Sequence, residues 1–166
     1  MAGSRTALVL IDLQEWIVRD LAGPGGQAAA TAAAVASQRS RESGELVVHV
    51  QYLHLDGSDG GPGSARTRFA DGIEVVAGEP IISKHGRSAF EATELERVLD
   101  RANIGRVLLA GLVTEGGVEA TAYSALELGY QVAVLSDAVA GHTPAGHVDA
   151  LRRLSDVGVE ILGQEQ

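Results

Sequence analysis

GLVTEGGVEATAYSALELGY, residues Gly111–Tyr130, decides the fold, because it has the pattern of a strand end, a glycine turn and an amphipathic helix. The apolar run Val107–Ala110 before it fits an internal parallel strand. After the turn, apolar and small residues recur at helical spacing: Val118, Ala122, Ala125, Leu126 and Gly129. Gly116 and Gly117 lack a Cβ, so a bound group can approach the backbone closely. The sequence therefore predicts a helix start that faces a cleft and favours an anion or a developing oxyanion.

The rest of the chain alternates strands with helices. Apolar runs predict strands at Ala7–Ile11, Leu46–Leu53, Pro80–Ser83, Arg106–Ala110, Val132–Leu135 and Val159–Leu162. Helices are predicted at Gln27–Glu42, from the capping-box pattern at Thr93 to Ala102, after Gly117, and at His147–Val157. Leu13–Gly26 is predicted to be irregular. This order specifies one α/β domain, residues 1–166, with a mainly parallel sheet of about six strands and helices on both faces.

A long glycine-rich segment, His54–Gly78, interrupts this alternation. A loop of this length inside a compact domain is often functional, and a mobile surface insertion is the alternative interpretation.

Composition excludes several classes of function. The net charge of −9 argues against non-specific binding of nucleic acid. No cysteine is present, which excludes disulfides, thiolate metal ligands and a cysteine nucleophile. The N-terminus lacks the apolar core of a signal peptide, and no apolar run approaches the length of a membrane span. We therefore expect a cytoplasmic protein that does not associate with membranes.

Three groups follow strands directly and should meet at one edge of the sheet: Asp12, Lys84 and the corner Thr114–Gly117. Asp12 is a candidate general acid or base, and a turn or cap residue is the alternative. Lys84 is the only lysine in the chain. One interpretation is that the site needs a compact ammonium, which the guanidinium of arginine does not imitate. The alternative is that a single lysine arises by chance in an arginine-rich composition.

The corner itself allows two interpretations. The amides of Gly116 and Gly117 are candidate oxyanion donors, and turn chemistry without a ligand is the alternative. Glu115 is either a second carboxyl in the pocket or an exposed acid at a helix start. The five histidines form no HxH or HxxxH pair, so no metal site is predicted.

Four motifs together resemble the isochorismatase-like hydrolase superfamily: IDLQ at Ile11–Gln14, KHGRSAF at Lys84–Phe90, the corner sequence quoted above, and SDA at Ser136–Ala138. The resemblance runs over nearly the whole chain. It implies a three-layer α/β/α Rossmann-like fold, usually oligomeric, with a catalytic Asp, Lys and, in most members, Cys. Asp12 and Lys84 match the first two, and Gly117 falls at the cysteine position.

This departure directs the functional prediction. Amidase-type members of the family form a thioester through the cysteine, whereas true isochorismatases resemble this chain in carrying glycine there. The resemblance suggests that Asp12 protonates the carbon of a vinyl ether, that water captures the oxocarbenium ion, and that pyruvate leaves. The predicted catalytic residues are Asp12 and Lys84. The predicted substrate-binding residues are Gln14, Arg87, Thr114, Glu115, Gly116 and Gly117.

Further expectations follow from the resemblance. The substrate is a small carboxylated or cyclic metabolite, no cofactor is required, and the protein is a homo-oligomer, a dimer or tetramer. An acid at Glu115 would repel a dianion, so isochorismate is one candidate and a compound of secondary metabolism is another. We also expect a cis bond at Val113–Thr114. The alternatives are a catalytically silent, ligand-binding relative and a lyase or isomerase that uses Asp12 as base. An Arg87 that faces solvent is the alternative to one that pairs with a substrate carboxylate.

Overall fold

The structure is a computed structural model that describes residues 3–163, and within this range the chain forms six strands and five α-helices. The strands are β1 (Arg5–Ile11), β2 (Leu46–Tyr52), β3 (Ile81–Lys84), β4 (Ile104–Leu112), β5 (Gln131–Ala140) and β6 (Glu160–Leu162). The helices are α1 (Glu15–Asp20), α2 (Gly26–Glu42), α3 (Leu95–Arg101), α4 (Glu119–Glu127) and α5 (Pro144–Asp156). A π-helical turn, Thr114–Val118, leads into α4.

The six strands form one parallel sheet in the order β3-β2-β1-β4-β5-β6. Successive side chains of a strand point to opposite faces, so β1 supplies Val9 to one core and Leu10 to the other. Helices α3, α4 and α5 cover the first face, and α1 and α2 cover the second. The predicted α/β fold, with a parallel sheet and helices on both faces, is confirmed.

Two predicted boundaries on the second half of the chain were wrong. Strand β5 continues to Ala140 rather than ending at Leu135, because an irregularity in its pairing with β4 lets Val139 and Ala140 rejoin β4. Helix α5 begins at Pro144 rather than at His147, because the Thr143 side chain accepts a hydrogen bond from Gly146 N–H and proline suits the first helical position.

The segment Leu13–Gly26, predicted to be irregular, contains the six-residue helix α1. Burial of Ile17 against the sheet fixes this helix, which a sequence window of this length does not indicate. The capping box before α3 is only half formed: Thr93 Oγ1 accepts from Leu95 N–H, but the N-cap residue is Glu94.

The segment His54–Gly78 contains turns but none of the named helices or strands, as predicted. It lies against the start of α1, where Gln14 and Phe69 form an antiparallel bridge and Glu15 N–H donates to Arg68 O. No helix among the described residues is long and apolar enough to cross a bilayer. Cytoplasmic location and homo-oligomer formation stay predictions.

One polar cluster ties the end of α2 to the segment that leads into β3. The Glu79 carboxylate accepts from Arg41 Nε at 2.7 Å and lies 2.9 Å from Nε2 of the buried His49. Val76 N–H also donates to it. Burial raises the pKa of Glu79, but the hydrogen bonds from Arg41 and His49 outweigh burial and hold the pKa at about 2. Glu79 is therefore ionised in the folded protein at neutral pH.

We expect Glu79→Gln to lower the free energy of unfolding at pH 7 by about 1–3 kcal/mol, because a charged acceptor with three partners is lost. A lowered folded-state pKa stabilises the fold above the unfolded value and loses this effect as pH falls towards the folded value. The difference between the two proteins should therefore shrink as pH is lowered below about 4.5. Urea denaturation at a series of pH values measures it.

Glu160→Gln is the matched control, since Glu160 pairs with Arg106 at 2.9 Å on the surface, where its side chain is 58% exposed. An exposed pair contributes only about 0–1 kcal/mol. Equal losses in the two variants, or a Glu79→Gln effect that does not change with pH, would contradict the role given to Glu79.

Candidate active site

The ends of β1 and β3 bring Asp12 and Lys84 together, although β2 lies between these strands. Asp12 follows β1 with a positive φ of 51°, which ends the extended backbone of the strand, and its N–H donates to Val50 O. Lys84 Nζ lies 2.9 Å from Asp12 Oδ2 and also donates to Gly86 O at 3.0 Å. The convergence of these two groups, predicted from the sequence, is seen in the structure.

The pair is almost completely shielded from solvent, with Asp12 6% and Lys84 2% exposed. Burial raises the pKa of Asp12 to about 6, although the charge of Lys84 and its hydrogen bond act in the opposite direction. Asp12 Oδ1 is buried and has no hydrogen-bond partner among the described residues. A carboxyl with a pKa near neutrality and a free oxygen is suited to proton transfer.

Gly117 supplies the third side of this site. A Cβ placed on Gly117 would lie 3.4 Å from Lys84 Nζ, 3.3 Å from Arg87 O and 3.2 Å from Ile11 Cγ2. The distances to Ile11 and Arg87 are shorter than most Cβ contacts, and the distance to Lys84 Nζ is that of van der Waals contact, so the Gly117 backbone lies directly beside the ion pair. Gly117 itself is half-buried, unlike Asp12 and Lys84. The corner therefore joins Asp12 and Lys84, as the sequence predicted.

The corner is not the regular helix start that the sequence suggested. Gly116 has φ −112° and ψ −112°, and its N–H donates to Val113 O at 3.0 Å. One of the two amides predicted as oxyanion donors is therefore already used within the turn. The cis peptide bond is Leu112–Val113, so the expectation of a cis bond at Val113–Thr114 was wrong by one residue.

Gln14 and Thr114, which were predicted to bind substrate, are both buried and hydrogen-bonded within the protein. The Gln14 amide is fully buried, accepts from Tyr52 N–H and donates to the carbonyls of Tyr52 and Thr67. Thr114 is also fully buried, and its Oγ1 lies 2.8 Å from His147 Nδ1. Their side chains connect the site to the neighbouring backbone and to His147, and substrate binding by them stays a prediction.

Glu115 lies beside the first turn of α5. Its carboxylate accepts from His142 N–H, and a Cβ placed on Gly146 would lie 2.2 Å from its Oε2. It is half-buried, so it is not the exposed helix-start acid of the alternative interpretation. Its contact with substrate and its repulsion of a dianion stay predictions.

Arg87 is exposed and donates from its guanidinium to Glu115 O at 2.8 Å. The predicted pairing of Arg87 with a substrate carboxylate would use its other N–H groups, and it stays a prediction. Among residues 3–163, no group of three or more histidine or carboxylate side chains lies close enough to hold a metal ion.

Tyr52 is a neighbour of the site that the sequence analysis did not identify as a contact of Lys84. Its ring centroid lies 5.3 Å from Lys84 Nζ, in the range of a cation–π contact. The sequence offered one indication of this contact, because Tyr52 ends β2, the strand between β1 and β3.

The comparisons with known proteins agree with this fold. A parallel sheet with an acid–lysine pair beyond the carboxyl ends of its strands places the chain among α/β enzymes. Residues 6–166 match the family described as "Isochorismatase domain". The chain belongs to this family of hydrolases.

Two curated relatives are similar over most of their length. The chain is 30% identical over 162 residues to the uncharacterized isochorismatase family protein YwoC of Bacillus subtilis, which covers 89% of this chain and 84% of that protein. It is 31% identical over 155 residues to maleamate amidohydrolase of Pseudomonas putida, covering 82% and 73% of the two chains.

Solved structures are similar over almost the whole chain. The pyrazinamidase of Pyrococcus horikoshii, solved in complex with zinc, superposes with a TM-score of 0.86 at 27% identity and covers 96% of this chain and 99% of that one. The N-carbamoylsarcosine amidase of Thermoplasma acidophilum gives 0.85 at 27% identity, with 98% of each chain covered.

We expect Lys84→Met to raise the pKa of Asp12 above about 6, because the variant removes the ammonium that favours the carboxylate and leaves the burial unchanged. The ¹³C chemical shift of the Asp12 carboxyl, followed against pH, measures the midpoint directly. Arg68→Met is the control, since it breaks the exposed pair with Glu15 and should not move the Asp12 midpoint. A midpoint that stays or falls in Lys84→Met would show that the ion pair does not set the pKa.

Proposed function

We propose that this protein hydrolyses a vinyl ether of a small carboxylated or cyclic metabolite, with Asp12 as general acid and without a covalent enzyme intermediate. The observation that carries the proposal is the buried Asp12 carboxyl, with a pKa near 6 and a free oxygen, beside Lys84 and the bare backbone of Gly117. The chain has no cysteine, and Gly117 occupies the position at which the resemblance places that nucleophile. An amide hydrolysis through a thioester has no residue to perform it.

The reaction balances with one water molecule. Protonated Asp12 donates its proton to the terminal CH₂ carbon of the carboxyvinyl ether, which leaves an oxocarbenium ion at the ether carbon. Water adds to that carbon and returns a proton to the Asp12 carboxylate. The hemiketal then breaks its bond to the alcohol oxygen, giving pyruvate and an alcohol that keeps the oxygen of the substrate.

Lys84 has two tasks in this scheme. Its charge holds the carboxylate form of Asp12 after proton donation, and its ammonium attracts the carboxylate of the substrate next to the ether carbon. Gly117 leaves space beside Lys84 Nζ for the substrate, because a Cβ there would be in van der Waals contact with Nζ and in tight contact with Arg87 O. Arg87 is exposed on the loop that follows Lys84, and it is the second cation that pairs with a substrate carboxylate.

We expect Asp12→Asn to lower the rate of pyruvate release from isochorismate or another carboxyvinyl ether by about 10²–10⁴-fold, the usual effect of removing a general acid. In ¹⁸O water the alcohol product should carry no label, because water adds to the vinyl carbon. Glu160→Gln, a surface change far from the pair, serves as the control and should keep its activity.

The pH profile gives a second test of the same proposal. A general acid acts in its protonated form, so kcat should fall as pH rises through about 6, the pKa of Asp12. If Asp12 instead acts as the base of a lyase or isomerase, activity should rise through the same pH and no alcohol product should form.

The second candidate is a catalytically silent protein that binds a small molecule. The deep burial of Asp12 and Lys84 and the missing cysteine favour it. If the native protein and Asp12→Asn are equally inert on a panel of carboxyvinyl ethers, the hydrolase proposal is rejected and this candidate is supported.

We also propose that the protein forms a homo-oligomer. Sedimentation that gives a monomer at micromolar concentration would reject this part of the proposal.

A further inference from the structure

An apolar groove of about 440 Å³ lies on the second face of the sheet, between α2 and the strands β4 and β5. Its apolar lining consists of Ala32, Val35, Ala36, Leu108, Leu135 and Ala138. Val35 is 49% exposed, and Leu108 and Leu135 are only half-buried although they pack against the core of this face. The single chain therefore leaves part of this core uncovered.

The register of the sheet extends the apolar surface to the edge strand β6. Leu135 pairs with Leu162, so these two side chains point to the same face of the sheet. Leu162 is also half-buried. Helix α5 does not cover these residues, because it packs on the first face, where Ile161 of β6 contacts the other core. A continuous exposed apolar surface of this kind is typical of a protein–protein contact.

Two unpaired charges of opposite sign lie at the groove. Arg39 is exposed on α2, Asp137 is exposed on β5, and both line the groove. Neither side chain forms a salt bridge or a hydrogen bond with any residue between 3 and 163. The third charged residue of the lining, Glu45, differs because it is half-buried and accepts from Ser40 Oγ at 2.8 Å. The groove thus presents one cation and one anion that are available to a partner.

We propose that this face is the contact between two copies of the chain related by a twofold axis. Each contact of such an interface occurs twice, so Arg39 of each copy pairs with Asp137 of the partner subunit. Between the two ion pairs, the apolar surfaces of the two copies cover each other. Charge complementarity favours a second copy as the occupant, because one surface carries both members of the pair.

This interface deepens the proposed function, because it rests on the proposed homo-oligomer and identifies the surface that forms it. It does not depend on the vinyl-ether reaction, since neither Asp12 nor Lys84 lines the groove. Dimer formation and pyruvate release can therefore fail separately.

The first test changes the apolar part of the surface. The native protein should sediment as a dimer at micromolar concentration. Val35→Glu should raise the dissociation constant of the dimer at least about 100-fold, because the twofold axis buries the new carboxylate twice. Val148→Glu is the matched control, since Val148 is a similarly exposed valine (51%) on α5, which covers the other face of the sheet. It should change the dissociation constant by less than about twofold.

The second test exchanges the charges. Arg39→Asp places acids opposite each other in the dimer, and Asp137→Arg places arginines opposite each other. Each variant alone should therefore dimerise at least about tenfold more weakly than the native protein. In a mixture of the two variants, both contacts of the heterodimer join an acid to an arginine, so the heterodimer should form in preference to either homodimer. Native mass spectrometry measures this preference, because the two variants differ in mass.

The outcomes separate the interface from the rest of the proposed function. A native monomer at micromolar concentration would overturn the interface together with the proposed homo-oligomer, and would leave the groove to a different occupant. A native dimer that Val35→Glu does not weaken, or that Val148→Glu weakens equally, would overturn this interface and retain the homo-oligomer. A mixture of the charge variants without preference for the heterodimer would overturn the pairing of Arg39 with Asp137 of the partner subunit, and with it the proposed twofold contact. Native dimers that behave as expected but release no pyruvate would support the interface and reject the reaction.

Discussion

The buried pair of Asp12 and Lys84 is the interaction on which the site depends. Removing two charges from water is costly, and their attraction compensates only when the remaining polar atoms are satisfied. Lys84 is satisfied by Asp12 and Gly86 O, but Asp12 Oδ1 is left without a partner. Burial raises the pKa of Asp12 to about 6 against the opposing effect of Lys84, which gives a carboxyl that can exchange a proton near neutral pH. The pair depends on two local features: Lys84 is the last residue of the edge strand β3, and Asp12 lies in a turn directly after β1.

Two glycines, Gly117 and Gly146, allow close contacts on the two sides of the turn Thr114–Val118. At Gly117 the missing side chain opens the backbone to Lys84, while Gly146 leaves room for the carboxylate of the neighbouring Glu115. Glu115, which follows β4, therefore meets the start of α5. The π-helical turn Thr114–Val118 therefore contacts two parts of the protein: Gly117 lies beside Lys84, and Glu115 lies beside the start of α5.

Relatives of this chain are named as an amidohydrolase and an amidase. A fold fixes where the strand ends meet, and the side chains placed there decide the reaction. In this chain the carboxyl–ammonium pair is present, and the sequence contains no cysteine.

The sequence by itself determined the sheet, the order of its elements and the meeting of Asp12, Lys84 and Gly117, because hydrophobic periodicity fixes strands and helices and parallel strands end at one edge. It did not determine the short helix α1 or the full length of β5, since burial of Ile17 and pairing across an irregular ladder are long-range effects. It also could not assign Gln14, Thr114 and Glu115, whose partners lie between 27 and 53 residues away along the chain. Where a polar side chain finds its hydrogen bonds is a matter of three-dimensional neighbours, and only the tertiary structure decided it.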